Sequence, residues 1–530
     1  MQPLAGTPSM PAASVWRARV AAVTARLPLG AIAWGAIALG VALRVATFFL
    51  MDPRADGATY TAMGHAWAET GAFLMPYGDV TTSEPTPPGL SHHYPPLYPL
   101  YLGLWYKALG FSLATTKLAA IALSIATLAV VYVATRDLYG ARLAETATAI
   151  AALEPHLVLV TGLNFSENLV LAFFVGTMWA ILKSLEDNRY IVFAGLFAGL
   201  AYLTRASMGY FFVVAGFAGL AWRLWHRGVR VLADKHYLAA IAIFGAMVLA
   251  WAWRNVSAFG WPHWETSSYT TWIQGCLLGA SYCTHPANGY DWWEPPPAKS
   301  EGFFFAADPV QLFLHALAWK APLFAAFILA YAAFFPAEVA RAARRIREEH
   351  ESGLWLSVLL VAAISLFMAS LFWTYEQYDI WWLDNHRYFV IAVVPLAWAM
   401  LRHARFASGG FRVRAVALLV VLALVAGQLF SNPQRWSEAE AARALSPHLE
   451  AGDAVALDGP LIKYSFYPYV EEHDLRVYAW SQRPQGEWPD WIISLAAGSS
   501  YEGYTLFLER SVVYRDGGVL ETKVFKRTGT

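Results

Sequence analysis

A chain of 530 residues could form several soluble domains, but its composition excludes that reading. Hydrophobic residues make up 57% and charged residues 14%, against about 25% charged in soluble proteins. Lys+Arg and Asp+Glu each number 38, so the net charge is zero and a basic nucleic-acid binder is excluded. Aromatics reach 15%, with 24 Trp and 26 Tyr, the types that gather at the membrane–water boundary.

A bilayer core of about 30 Å takes roughly 20 apolar residues as helix. Apolar runs predict about eleven membrane-spanning helices, near 29–50, 113–135, 142–162, 168–184, 190–204, 208–225, 237–256, 309–335, 354–374, 388–401 and 413–430. No short leader with a small-residue cleavage site precedes the first run, which is therefore expected to stay in place. No repeat of solenoid or propeller length is visible.

Sidedness follows from the basic residues. Arg17, Arg19 and Arg26 precede the first run, and alternate connections are basic too: Arg136/Arg142, Lys183/Arg189, Arg223/Arg227/Arg230/Lys235, Arg341/Arg344/Arg345/Arg347 and Arg402/Arg405/Arg412/Arg414. These are half of the 38 basic residues, and they mark the cytoplasmic side. The opposite loops, 51–112, 257–308 and 375–387, are aromatic and poor in Lys and Arg. The expected organisation is a cytoplasmic tail (1–28), a mainly α polytopic bundle (29–430) and a small α/β domain outside the membrane (431–530). The last is read from short β-like runs at Ala454–Leu457, Trp491–Leu495, Thr505–Leu508, Ser511–Tyr514 and Glu521–Lys526, with Gly and Pro punctuation. The expected address is the cytoplasmic (inner) membrane, with the working face on the periplasmic or extracellular side.

The first external loop opens with Asp52-Pro53-Arg54-Ala55-Asp56-Gly57. From Tyr60 to Gly71 the spacing is helical but too short to span, and 97–110 is apolar but interrupted by Pro99, Trp105, Tyr106 and Lys107. Both are expected to lie along the interface. Asp56 reads as a general base or as a helix N-cap, and Asp52 as a second candidate base or the start of a turn. Glu167 falls in the short external turn after Asn164. Arg44, Lys117, Arg205, Arg254 and Arg387 all fall at the outer ends of runs. Singly, each is expected to snorkel to lipid phosphates; converging on one cavity, they form a phosphate clamp.

Other polar features carry two readings each. His92-His93 could bind a metal, hydrogen-bond a phosphate or be plain loop; no third metal ligand stands at a sensible spacing. Glu154-Pro155-His156, inside the third run, reads as a buried pair offsetting a proline-loosened turn or as a proton relay. Trp292-Trp293 and Trp381-Trp382 suit interfacial anchoring or sugar stacking. Cys276 and Cys283 share one external loop, where they either close a disulfide or remain thiols.

The order of these features resembles the type-C glycosyltransferases, and most of all the protein O-mannosyltransferase and lipid A aminoarabinose transferase branch (glycosyltransferase family 39-like). The resemblance rests on one helix with Asp at its external end, an interfacial Tyr/Gly helix and then Tyr94-Pro95-Pro96-Leu97-Tyr98-Pro99. It continues through Leu138-Tyr139-Gly140-Ala141-Arg142, Ala201-Tyr202-Leu203-Thr204-Arg205, Trp253-Arg254-Asn255 before Phe259-Gly260, and Arg387-Tyr388 with Pro395.

The resemblance implies transfer of a sugar from a polyprenyl-phosphate carrier to a lipid, glycan or protein acceptor on the outer face, commonly with inversion. Asp56 would be the catalytic base. Glu167, Tyr60 and Asp52 would orient acceptor or sugar, while Arg205, Arg254, Arg387, His92 and His93 would hold donor phosphate. No cofactor is required beyond the lipid-linked donor, and no metal is strictly needed, since phosphate is already a competent leaving group. Two departures stand out: Gly57 replaces a frequent acidic residue beside the catalytic Asp, and Tyr94 stands where the aminoarabinose branch often has Lys. The competing class is a polytopic lipid or sugar transporter (flippase), for which Glu154 would be the working charge.

Overall fold

The computed structural model describes residues 29–53, 56–76, 89–91, 94–259, 328–349, 352–359, 361, 390–431, 443–458, 467, 469, 473–480, 488–494, 499–513 and 519–528. The described part is mainly helical. Helix α1 (Leu29–Leu50) is followed by α2 (Asp56–Thr70), a short antiparallel pair β1 (Leu74–Met75) and β2 (Gly89–Leu90), and α3 (Leu97–Leu109). Then come α4 (Leu113–Tyr139), α5 (Ala141–Leu153), α6 (Pro155–Gly162), α7 (Glu167–Lys183), α8 (Ile191–Thr204), α9 (Met208–Arg227) and α10 (Lys235–Phe259). The remaining labelled helices are α11 (Pro336–Glu349), α12 (Val390–Leu401) and α13 (Gly409–Ser431).

Among the described residues, α1, α4, α10 and α13 are long and apolar enough to cross a membrane, and the bent pair α5–α6 makes a fifth candidate. The expected runs 309–335 and 354–374 lie largely outside the described residues. Helix α5 is the hub. It packs on α1, α4, α12 and α13, and the buried core runs through these helices and α7. Local chemistry sets the boundaries. Ser112 caps α4 by accepting a hydrogen bond from the Thr115 amide. Gly140, at φ 85°, ends α4 and starts α5, a backbone conformation that side chains disfavour.

The third expected span is not one helix. Its run over 142–162 breaks at Glu154–Pro155 into α5 and α6, bent by 54°. Pro155 lacks an N–H and its ring crowds the carbonyl four residues back, so the ladder cannot pass through it. Helix α11 is tied to the bundle by buried Glu338, which accepts from Arg341 at 2.8 Å and from Arg414 of α13 at 2.9 Å.

The C-terminal part forms one five-stranded sheet in the order β4-β3-β5-β7-β6. The strands are β3 (Ala454–Asp458), β4 (Arg476–Ala479), β5 (Trp491–Ser494), β6 (Tyr504–Val513) and β7 (Val519–Arg527). β3 runs parallel to β4 and β5, and β7 antiparallel to β5 and β6. The runs at 505–508 and 511–514 prove to be a single strand, with an irregular register between Leu506 and Leu508. Side chains alternate across the sheet. Val455, Leu457, Trp491, Ile493 and Val524 share one face with Leu445, Leu449 and Tyr469, and Leu113 at the start of α4 packs against it. Ala456, Ile492 and Phe525 face the other way, under Trp480, Tyr501 and Tyr504.

Candidate active site

The turn between α6 and α7 organises the site. Asn164 sits at φ 59°, a left-handed conformation that Asn tolerates better than most residues. Its side chain is fully used: Nδ2 donates to Thr61 Oγ1 at 2.9 Å and to the Gly57 carbonyl at 3.3 Å, and Oδ1 accepts from the Tyr98 hydroxyl at 2.7 Å. One turn residue thus fastens α2 and α3 together. Gly57 lies so close to the Leu163 carbonyl that any side chain there would collide with it. That contact is the physical reason this position holds glycine rather than an acid.

Asp56 is the first residue of α2 and is partly buried. The Tyr94 hydroxyl donates to its Oδ1 at 3.0 Å. The Tyr94 ring meets Tyr60 edge-on at 4.9 Å, and Tyr60 meets Tyr98 at 5.0 Å. Glu167, buried at the start of α7, accepts from Arg205 at 2.7 Å. Arg205 caps the C-terminus of α8, so each charge also sits at the helix end that favours its sign. Between these groups lies Tyr60, whose hydroxyl accepts from Ser166 Oγ at 3.3 Å. Burial pushes the Tyr60 phenol well above its usual pKa; Arg205 pulls it down, while Asp56 and Glu167 push it further up. Asp56, Glu167 and Arg205 therefore converge on one aromatic-walled spot.

Arg254 lies in α10. It donates to the Ser91 carbonyl at 2.7 Å and to Asn255 Oδ1 at 2.8 Å, with its guanidinium over Trp251 and Phe259. Ser91 lies three residues before Tyr94, the partner of Asp56.

Asp52 is buried between cations. Lys117 lies 2.5 Å from Oδ1, Arg443 reaches Oδ2 at 2.6 Å, and the Tyr469 hydroxyl donates to Oδ2 at 3.2 Å. Burial would lower the Arg443 pKa, but the Asp52 carboxylate and Tyr469 outweigh it and hold it above the usual value. Nearby, His65 Nδ1 is 2.9 Å from the Tyr467 hydroxyl. Together these contacts fasten the C-terminal part to the helices around Asp56.

Arg44, expected at the outer headgroup level, is instead fully buried. Its side chain turns back toward the start of α1, as long side chains in helices do, and donates to Gly40 O, Ala152 O and Ser124 Oγ. Lys117 likewise bonds the Phe48 carbonyl at 2.9 Å rather than pointing to lipid.

His92, His93, Arg387, Cys276 and Cys283 lie outside the described residues, as do Trp292, Trp293, Trp381 and Trp382. Among the described residues, no three His, Cys, Asp or Glu side chains are grouped to share a metal ion. Residues the sequence reading passed over are Tyr94 as partner of Asp56, Asn164 and Arg443. Tyr94 stands inside a quoted motif and Asn164 was named only as the start of a turn, whereas nothing local marks Arg443.

Residues 93–253 match the family model described as dolichyl-phosphate-mannose-protein mannosyltransferase. No curated protein matches by sequence. Among solved structures, the chain is similar to ArnT from Cupriavidus metallidurans bound to undecaprenyl phosphate. The TM-score is 0.50 at 12% identity, over 97% of this chain and 98% of that one. Apo ArnT gives 0.51 at 13% identity, with the same coverage. The Archaeoglobus fulgidus oligosaccharyltransferase in complex with Zn and sulfate gives 0.50 at 14% identity, over 84% of this chain and 62% of that one. The fold is therefore that of the type-C membrane glycosyltransferases. Within it, the chain resembles the protein O-mannosyltransferase and aminoarabinose transferase branch.

Proposed function

We propose that the protein is a membrane glycosyltransferase that moves a sugar from a polyprenyl-phosphate carrier to an acceptor hydroxyl on the outer face of the cytoplasmic membrane, with its C-terminal α/β domain on the same side. The observation that carries this reading is the partly buried Asp56 carboxylate, held by Tyr94 and placed around Tyr60 with the Glu167–Arg205 pair. The fold is one whose relative was crystallised with undecaprenyl phosphate.

The reaction is one displacement. The acceptor hydroxyl gives its proton to Asp56, its oxygen bonds to the anomeric carbon, and the bond from that carbon to the carrier phosphate breaks. The phosphate leaves with the electron pair, and guanidinium groups receive its charge. In this reading Arg205, Arg387, His92 and His93 serve the phosphate, and Arg254 serves it through the Tyr94 segment. Glu167 and Tyr60 orient the sugar or acceptor.

The bent span gives the transporter reading its one specific support, since broken helices with charges are common in transporters. Those charges, however, hydrogen-bond the buried backbone ends of the two half-helices.

The test is transfer from synthetic polyprenyl-phosphate sugars by the purified full chain, with mass spectrometry of surface glycolipids and glycoproteins to name the acceptor. Loss of transfer in Asp56→Ala at normal membrane abundance supports the enzyme. A silent Asp56→Ala with abolished substrate movement in Glu154→Ala supports the transporter.

A further inference from the structure

The break between α5 and α6 leaves backbone carbonyls deep in the bundle without helical donors. Without an N–H on Pro155, the Ala151 carbonyl has no helical donor, and the bend parts Ala152 from its own. Arg44 of α1 supplies both, from Nη1 to Ala152 O at 2.5 Å and from Nη2 to Ala151 O at 3.4 Å. On the other side of the break, Glu154 Oε2 accepts from the Leu157 amide at 2.9 Å, and Oε1 lies 2.7 Å from His156 Nδ1. The cation meets the negative end of α5 and the carboxylate meets the positive end of α6, within electrostatic reach of each other. Glycine at position 40 lets α1 close on the break, because a side chain there would strike the Ala152 backbone.

What the bend aims is the active site. α6 is only eight residues long and ends at Gly162, which packs against Thr47 and Met51. The next residues are Leu163 under Gly57, Asn164 fastening α2 and α3, and then Glu167. A second line leads there as well. Arg44 Nε donates to Ser124 Oγ at 2.7 Å, Ser124 Oγ to Asn168 Oδ1 at 3.2 Å, and Asn168 Nδ2 to Thr161 Oγ1 at 3.1 Å. Asn168 adjoins Glu167.

We propose that Arg44 is a positioning residue for glycosyl transfer: by holding the broken ends of α5 and α6 against Glu154 it fixes the turn 163–167, and with it the placement of Asp56 and the Glu167–Arg205 pair. The proposal rests on the reaction proposed above. It assigns Arg44 no contact with donor or acceptor, since the side chain is fully buried.

The test compares the full chain with Arg44→Gln, Arg44→Lys and Pro155→Ala. Arg44→Gln should lower kcat about 100-fold, the scale of a misplacement of about 1 Å, and leave the donor KM near its original value. Arg44→Lys, which keeps the cation and can still reach one carbonyl, should recover a good part of that loss. Amide hydrogen exchange at residues 163–168 and at the start of α2 should quicken in Arg44→Gln. Unchanged exchange there overturns the proposal whatever the catalytic result, as does an unchanged kcat. If Arg44→Gln does not accumulate, Pro155→Ala decides: a folded protein with full kcat and unchanged exchange overturns the proposal, and a reduced kcat with faster exchange supports it. Asp56→Asn separates the two ideas. If it is as active as the wild type, the reaction is misassigned. If it is inactive while the Arg44 variants transfer normally, only the positioning role fails.

Discussion

Asp52 and Asp56 stand four residues apart in one segment, yet their surroundings differ. Asp52 is enclosed by Lys117, Arg443 and Tyr469; Asp56 takes a neutral phenol and sits beside the turn that carries Glu167. The first carboxylate ties Arg443 of the C-terminal part to Lys117 of α4, whereas the second stands next to Gly57, which abuts the 163–167 turn. Sequence proximity and identical chemistry thus yield an anchor and a candidate base, separated only by what the tertiary structure brings to each.

The comparison can be broken most directly at Asp56. Asp56→Asn should reduce transfer about a thousandfold, within the range of general base catalysis, with melting temperature and abundance unchanged. Single-turnover transfer from a labelled donor measures it. Asp52→Asn should do the reverse. Removing one partner of a buried ion pair costs about 3 kcal/mol, so the variant should melt lower and release its C-terminal part to limited proteolysis, with a much smaller change in kcat.

Glu167→Gln keeps the shape but leaves Arg205 without a countercharge. Transfer should fall about tenfold to a hundredfold, the span of roughly 1.5–3 kcal/mol for a charged hydrogen bond. Tyr94→Phe removes one such bond to Asp56 and should lower kcat about tenfold on the same scale, read from steady-state rates.

The smallest effect serves as a control on the sheet itself. Burial, with the hydrogen bond to Asp458, pushes the Tyr501 phenol from 10.0 up to about 12. A pKa raised on folding contributes stability that is complete below the unfolded value and is lost as pH climbs to the folded one. The sheet should therefore weaken between pH 10 and about 12, as near-ultraviolet titration can follow. Asp52→Asn should leave that transition in place, whereas Tyr501→Phe should flatten it.

Much of this arrangement was readable from residue order. Several apolar helices, the position of Asp56 at the start of a short helix and most of the strands followed from composition and periodicity, because those signals are local. The pairing of Glu167 with Arg205 was legible only as two charges on the same side. The settings of Asp52 and Arg44 were not legible at all. Arg443 and Tyr469 come from about four hundred residues away, and Ala152 becomes an acceptor only because a proline opens its helix. Pro155 announced the break, but nothing near it announced the arginine that closes it. β4 was missed because Arg476–Ala479 is four residues long and opens on a charge.

The contact between Gly57 and the Leu163 carbonyl constrains what protein engineering can do here. Randomising position 57 should return glycine alone among functional clones, because even a methyl group would have to drive the turn outward. A second acid beside Asp56 could be grafted in only by rebuilding the loop beneath it. This scaffold therefore leaves no room for an acidic neighbour directly after Asp56.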